Sequence, residues 1–450
     1  MTVVAIDASA PRQLARRQAT TVALLFLGYA GYYFCRANLS VGLPLILDEL
    51  RARGTDAGGA RIAMGTVVSF GVFAYAVGKL TLAGIADFTG GKRSFVGGMT
   101  GAIAFTLLFA AGGSLPLFTI AWIGNRFVQS AGWAGLVKVA SRWFDFSSYG
   151  TVMAILSVSY LVGDAAARQI LGGMIAVGIG WRALFVFAAA FVALMLVLNA
   201  VFLRESRTDL GFSQARVNPV NVFRNGADEA AGQAGGALAV IRPLASSPQF
   251  WLVCALSLGT TLIRETFNTW TPTYFSGFVG MSDARSAFWS SVFPAVGVAS
   301  VLITGRLSDR FGPRGRAVVM LAGLSIATVA LTALGNVVRG ASPAVVVGLT
   351  GIVAMGLIGP YSCLAGAMAM DFGGARGGAV SSGLIDGVGY LGGVLAGNAM
   401  ARISVAFGWQ RAFMVLAAVS LGAAVGAAVL FRAQRKPMLT AHGATSMEII

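Results

Sequence analysis

Histidine is all but absent. The single one, His442, lies in a polar tail. Multi-histidine metal sites and Ser–His–Asp catalysis are thereby excluded from the apolar part of the chain. Cysteine is nearly as scarce. Cys35, Cys254 and Cys363 each fall within apolar stretches and read as small buried hydrophobes, not as a disulfide framework or a zinc site. Charge is sparse, at 11% of residues. No G-x-x-x-x-G-K-[ST] phosphate loop occurs, so ATP is not expected to drive the protein directly. No nucleophile–base pair or metal cluster is visible either, so the chain is read as non-enzymatic, with no cofactor and no metal.

What remains is apolar. Hydrophobic residues make up 56% of the chain, with 60 glycines and a mean hydropathy of +0.77. These values fit a chain that is mostly membrane helix, with glycines allowing close helix–helix contact in lipid. A formal charge of +16 raises the question of nucleic acid. The basic residues, however, sit in short loops between apolar stretches, which is the positive-inside pattern of a membrane protein. No nucleic-acid partner is expected. The polar start "MTVVAIDASAPRQLARRQAT" leads directly into the first span, without the features of a cleavable signal peptide.

A crossing needs about 20 apolar residues. Windows of that size predict twelve helices, near 20–46, 61–86, 94–113, 116–139, 150–176, 181–203, 248–277, 285–308, 316–336, 343–370, 376–403 and 409–431. Residues 204–247 are polar and rich in Gly, Ala and Asn. They divide the chain into 1–203, a linker at 204–247, and 248–450. Arg12, Arg16, Arg17, Lys92, Arg93, Arg142, the linker arginines, Arg310, Arg314 and Arg432 fall on one side. Arg51, Arg53, Arg285 and Arg339 fall on the other. Both termini and the linker are therefore expected in the cytoplasm.

The halves repeat. Arg36 and Arg264 are 228 residues apart (264 − 36), as are Pro44 and Pro272, and Trp181 and Trp409. Asp87 in "GIADFTGGKRS" pairs with Asp309 in "GRLSDRFGPRGR" at 222 (309 − 87). Two homologous six-helix bundles follow, and parallel repeats of this kind place a substrate site at their interface. Arg36 and Arg264 are symmetry mates, each on the first helix of its half. An arginine at the middle of a spanning helix costs roughly 2.5–3.5 kcal/mol on the most forgiving scale. Two facing guanidiniums repel unless an anion lies between them, and their forks match phosphate oxygens. The pair therefore points to a small dianion, best a phosphate. The alternative is that each arginine pairs with a local acid, and Glu265 beside Arg264 supports it.

The two Asp87 and Asp309 segments resemble the loop signature of the major facilitator superfamily. That likeness implies gating and structural roles for Gly84, Asp87, Lys92, Arg93, Asp309 and Arg310. "GYAGYYFCRANLSVGLP", "AYAVGKLTLAGIAD", "LIRETFNTWTPTYF", "GLIGPYSCLAGAMAM" and "GLIDGVGYLGG" resemble the organophosphate:inorganic phosphate antiporters, over nearly the whole chain. The resemblance implies an all-α membrane fold of twelve helices in two six-helix bundles. It implies a multi-pass protein, acting as a monomer in a bacterial inner membrane, that exchanges an organophosphate for inorganic phosphate by rocking its halves. Carried over by position, Arg36 and Arg264 bind phosphate, Lys79 lines the cavity, and Tyr29, Tyr33 and Tyr390 are its aromatics.

The chain also departs from that pattern. Tyr160 stands where the glycerol-phosphate antiporters carry a histidine. Asp164, Glu265 and Asp386 are acids within predicted spans and are candidates for substrate selectivity or proton coupling. Asp164 has Arg168 four residues on, whereas Asp386 has no basic residue three or four positions away. An empty carrier with two unpaired arginines would close poorly, which favours obligatory exchange. A carboxylate near them would favour proton-coupled uptake of an organic anion instead. A membrane sensor of sugar phosphates is the third reading.

Overall fold

A computed structural model describes residues 10–82, 89–215, 242, 244–310 and 315–433. Among the described residues twelve long helical segments follow one another: α1 Ala10–Ala52, α2 Ala57–Leu82, α3 Gly91–Ala111, α4 Leu115–Trp143, α5 Phe146–Ala176 and α6 Trp181–Phe202. Then come α7 Pro248–Tyr274, α8 in two pieces (Asp283–Ser290 and Val292–Arg310), α9 Gly315–Gly335, α10 Pro343–Cys363, α11 in two pieces (Ala369–Leu395 and Asn398–Ala406) and α12 Gly408–Ala433. The predicted spans match in number and order. Their ends do not: α1 runs well past 20–46, and α8 and α11 are each interrupted once. Most of the linker, and Gly84 and Asp87, lie outside the described residues, as does the Asp309 side chain.

Among the described residues, eight helices are long and apolar enough to cross a membrane by length and composition alone. The described parts of α1, α4, α5 and α11 carry Arg36 with Asn38, then Asn125, Arg126 and Gln129, then Asp164 with Arg168, and Asp386. Those polar residues face the protein interior. Such side chains persist in a membrane only where protein or a water-filled cavity surrounds them.

The pairing of helices repeats between halves. In the first half α1 packs on α5 and α6, α2 on α4, and α3 on α4 and α6. In the second, α7 packs on α11 and α12, α8 on α10, and α9 on α10 and α12. This is the two-bundle architecture the internal repeat requires. Small residues let backbones touch between the equivalent helix pairs α3–α4 and α9–α10. A methyl group on Gly135 would meet the Gly91 carbonyl oxygen at 2.7 Å, and one on Gly323 would meet that of Gly356 at 2.6 Å. The halves meet through α2 with α11, α5 with α8, and α1 with α7.

Breaks in the helices are chemically satisfied. Where α11 is interrupted at Ala396–Gly397, Ser69 of α2 donates to the Val394 carbonyl (2.6 Å) and accepts from the Asn398 amide (2.8 Å). Ser382 donates to the Ala365 carbonyl, so the chain doubles back between α10 and α11. At the start of α3, Glu205 accepts from the amides of Gly91 and Lys92, each at 2.7 Å, and pairs with Arg142 at 2.6 Å. A carboxylate on a helix N-terminus stabilises it.

Candidate binding site

Arg36 sits mid-way along α1, facing the other half. Its Nη1 donates to the Tyr33 hydroxyl at 2.8 Å, and its guanidinium lies 4.6 Å from the Tyr33 ring centre and 4.5 Å from that of Tyr75. Among the described residues it forms no ion pair, and its buried Nε has no partner. Arg264 on α7 is differently held. It bonds Glu265 at 2.7 Å, reaches the Tyr390 hydroxyl at 3.4 Å and lies 4.3 Å over the Tyr361 ring. Its Nε is likewise buried without a partner. Tyr390 is within electrostatic reach of both arginines. The symmetry mates thus share a neighbourhood, but among the described residues only Arg264 of the two forms an ion pair with a carboxylate.

Lys79 and Asp386 form an ion pair between α2 and α11. The sequence reading left Asp386 without a basic partner; its partner lies 307 residues away, on the other half, where helical spacing cannot reach. Asp164 and Arg168 do pair along α5, at 3.1 Å. Arg168 also donates to the Asn268 carbonyl (2.7 Å) and the Ser290 hydroxyl (3.0 Å), tying α5 to α7 and α8.

The aromatics form two clusters. Tyr29 lies 5.8 Å from Tyr33 and 5.2 Å from Trp133; Tyr33 lies 5.5 Å from Tyr160. Tyr75 and Tyr390 meet edge to face at 5.0 Å across the halves. Of the residues given gating or structural roles, Lys92 donates to the Ala200 carbonyl at 2.8 Å, while Arg93 and Arg310 are exposed.

One cation was not singled out from the sequence. Arg126 on α4 is buried, lies 4.8 Å from the Tyr75 ring centre on which Arg36 also stacks, and approaches Glu265 at 3.8 Å. Its Nε too is unpartnered. An arginine inside the apolar run "LFTIAWIGNRFVQSAGW" was signal enough, by the reasoning that found Arg36.

A cavity of about 40 Å³, counted as space open to water centres, lies among Tyr33, Arg36, Trp122, Arg126, Asp164, Arg168, Glu265 and Asn268. That holds a few waters or a small anion. Arg36, Lys79, Arg126, Arg168 and Arg264 stand against Asp164, Glu265 and Asp386. Five cations and three carboxylates leave two positive charges. The described inter-half hydrogen bonds, including Ser40 to Thr269, Thr66 to Asn398 and Arg61 to Ser404, run from the Lys79–Asp386 level to the end carrying the α1–α2 turn. The halves are joined at that end.

The Major Facilitator Superfamily model matches residues 25–397. The chain belongs to that superfamily. Major facilitator membership makes it a multi-pass integral membrane protein of transporter type, not an enzyme. It is 23% identical over 408 residues to a glycerol-3-phosphate transporter of Bacillus subtilis, covering 87% of each chain. It is 24% identical over 417 residues to the membrane sensor protein UhpC of Escherichia coli, covering 90% of each. Among solved structures, a bacterial homologue of the human lysosomal transporter Spinster superposes with a TM-score of 0.72 at 15% identity, covering 92% of this chain and 97% of that one. This last likeness concerns the fold alone.

Proposed function

We propose that the protein moves a small organophosphate or phosphonate across the membrane, with inorganic phosphate as counter-substrate. The observation that carries this is the central charge balance. Two net positive charges and three guanidiniums with unpartnered Nε atoms match one phosphate dianion. Arg36 and Arg264 are the phosphate ligands in this reading, with Tyr33, Tyr160 and Tyr390 donating hydroxyls and Tyr29 lining the path. Lys79 and Asp386 border the organic part of the substrate. Similarity to a glycerol-3-phosphate transporter supports the substrate class.

In the same reading the halves 1–203 and 248–450 rock about the site, joined by a cytoplasmic linker at 204–247. The protein works as a monomer in a bacterial inner membrane. The joined end is then the outer one, and access is from the cytoplasm. Gating at the Asp87 and Asp309 loops belongs to this proposal. The deciding experiment is efflux of labelled phosphate from proteoliposomes, challenged outside with a panel of organophosphates and phosphonates. Acceleration by at least one of them is expected; a panel with no effect on efflux sinks the exchange reading.

A second reading, a sensor of phosphorylated sugars, draws support from the similarity to UhpC. It forecasts phosphate binding without flux in the same vesicles.

A further inference from the structure

Glu265 connects the two halves at the level of the site. Its Oε1 takes Arg264 of α7 at 2.7 Å, while its Oε2 faces Arg126 of α4 at 3.8 Å. All three side chains are buried. Glu265 is therefore the anion that stands between a cation of one half and a cation of the other. A phosphate bound in the site would stand in the same relation to them. Resting on the proposed function, we infer that Glu265 is a resident counter-anion: it holds Arg126 and Arg264 together in the empty carrier and yields them to the incoming phosphate.

The consequence follows from charge. Without a substrate, repulsion among Arg36, Arg126 and Arg264 opposes closure of the halves. One fixed carboxylate between two of them replaces that repulsion with attraction. The empty carrier can therefore close and return, so exchange with phosphate is facultative. Neutralising Glu265 leaves three net positive charges at the centre, where the parent has two, and closure then depends on an external anion.

The structure supplies a place to read closure. The Asn398 side-chain Nδ2 donates to the Thr66 hydroxyl at 2.6 Å across the joined end. The full chain, with Cys35, Cys254 and Cys363 replaced by alanine, would carry Thr66→Cys and Asn398→Cys. Cross-linking by a short bifunctional thiol reagent is then timed in purified, substrate-free protein. Glu265→Gln is expected to slow cross-linking at least fivefold. Arg126→Gln should slow it less, because it removes the attraction and one repelling charge together. The double variant Arg126→Gln/Glu265→Gln should fall between the two single variants, because Arg36 and Arg264 still repel across the halves with no carboxylate between them. A Glu265→Gln rate equal to the parent's overturns the inference. So does a double variant as slow as Glu265→Gln, which would signal a packing defect with no charge dependence.

Inorganic phosphate separates the two readings. Added to Glu265→Gln, it should restore cross-linking by supplying the missing anion. If the double variant recovers and phosphate does nothing, the counter-anion role stands and the phosphate assignment falls. In vesicles, Glu265→Gln should lower the ratio of net phosphate efflux to phosphate exchange at least tenfold.

Discussion

Lys79 and Asp386 pair across the two halves, from α2 to α11, beside the Tyr75 and Tyr390 rings. Breaking such a pair on one side leaves a partly buried charge uncompensated, at a cost below the ~3–5 kcal/mol of a fully buried pair. Asp386→Asn and Lys79→Gln should therefore each impair transport, and the double variant should recover part of the loss. The measure is the coupling between the two changes in substrate kcat/KM, expected at about 0.5–3 kcal/mol. Strictly additive losses would show that the pair does not act as a unit. Because Asp164 keeps its partner on its own helix, Asp164→Asn should shift substrate preference less than Asp386→Asn does.

Arg36→Lys keeps the charge and loses the two-pronged geometry. Phosphate exchange should fall to background in this variant, and in Arg264→Lys, with the protein still folded in the membrane. Arg36 is the stricter test, since it forms no ion pair with a carboxylate among the described residues. Near-normal exchange by either variant would remove the phosphate clamp.

Arg168 bridges three helices through Asp164, Asn268 and Ser290. Arg168→Ala strands the Asp164 carboxylate in the interior and should destabilise the protein by about 3–5 kcal/mol. Lowered yield and an earlier thermal transition in detergent would show it. A melting profile like the parent's would mean that water replaces the guanidinium.

Glu49 lies beyond the predicted first span, at the end of α1 away from the N-terminus. The hydrogen bond from Arg182, with those from Trp181 and Arg53, holds its carboxyl down at about 2. Its folded value lies below the ordinary carboxylate value of about 4.3. The contribution to stability is thus present above that value and is lost as pH falls toward 2. Glu49→Gln should melt earlier than the parent at pH 7, and the two transitions should converge by about pH 2. A constant gap across that range would point to lost packing and not to charge.

Ser213 follows the turn at Arg207–Leu210, where the linker begins. A cysteine placed there should react with impermeant thiol reagents only from the cytoplasmic side. Labelling from the outside alone would invert the proposed topology.

The sequence by itself determined the helices, their number and the repeat. Long apolar runs can satisfy their backbone in lipid only as helices, and a constant offset between Arg36 and Arg264, or Trp181 and Trp409, records the duplication. It also exposed Arg36, Arg264, Asp164, Glu265 and Asp386, because charge within an apolar run is costly enough to be conspicuous. The Asp164–Arg168 pair was legible because four residues along one helix fix two side chains on one face. Only the tertiary structure decided the other partners. Lys79 with Asp386, Arg126 with Glu265, and Arg36 with Tyr75 each join residues on different helices, and the first two join different halves. No spacing encodes those contacts; they follow from how the two bundles dock, and that docking set which arginine remained free for an anion.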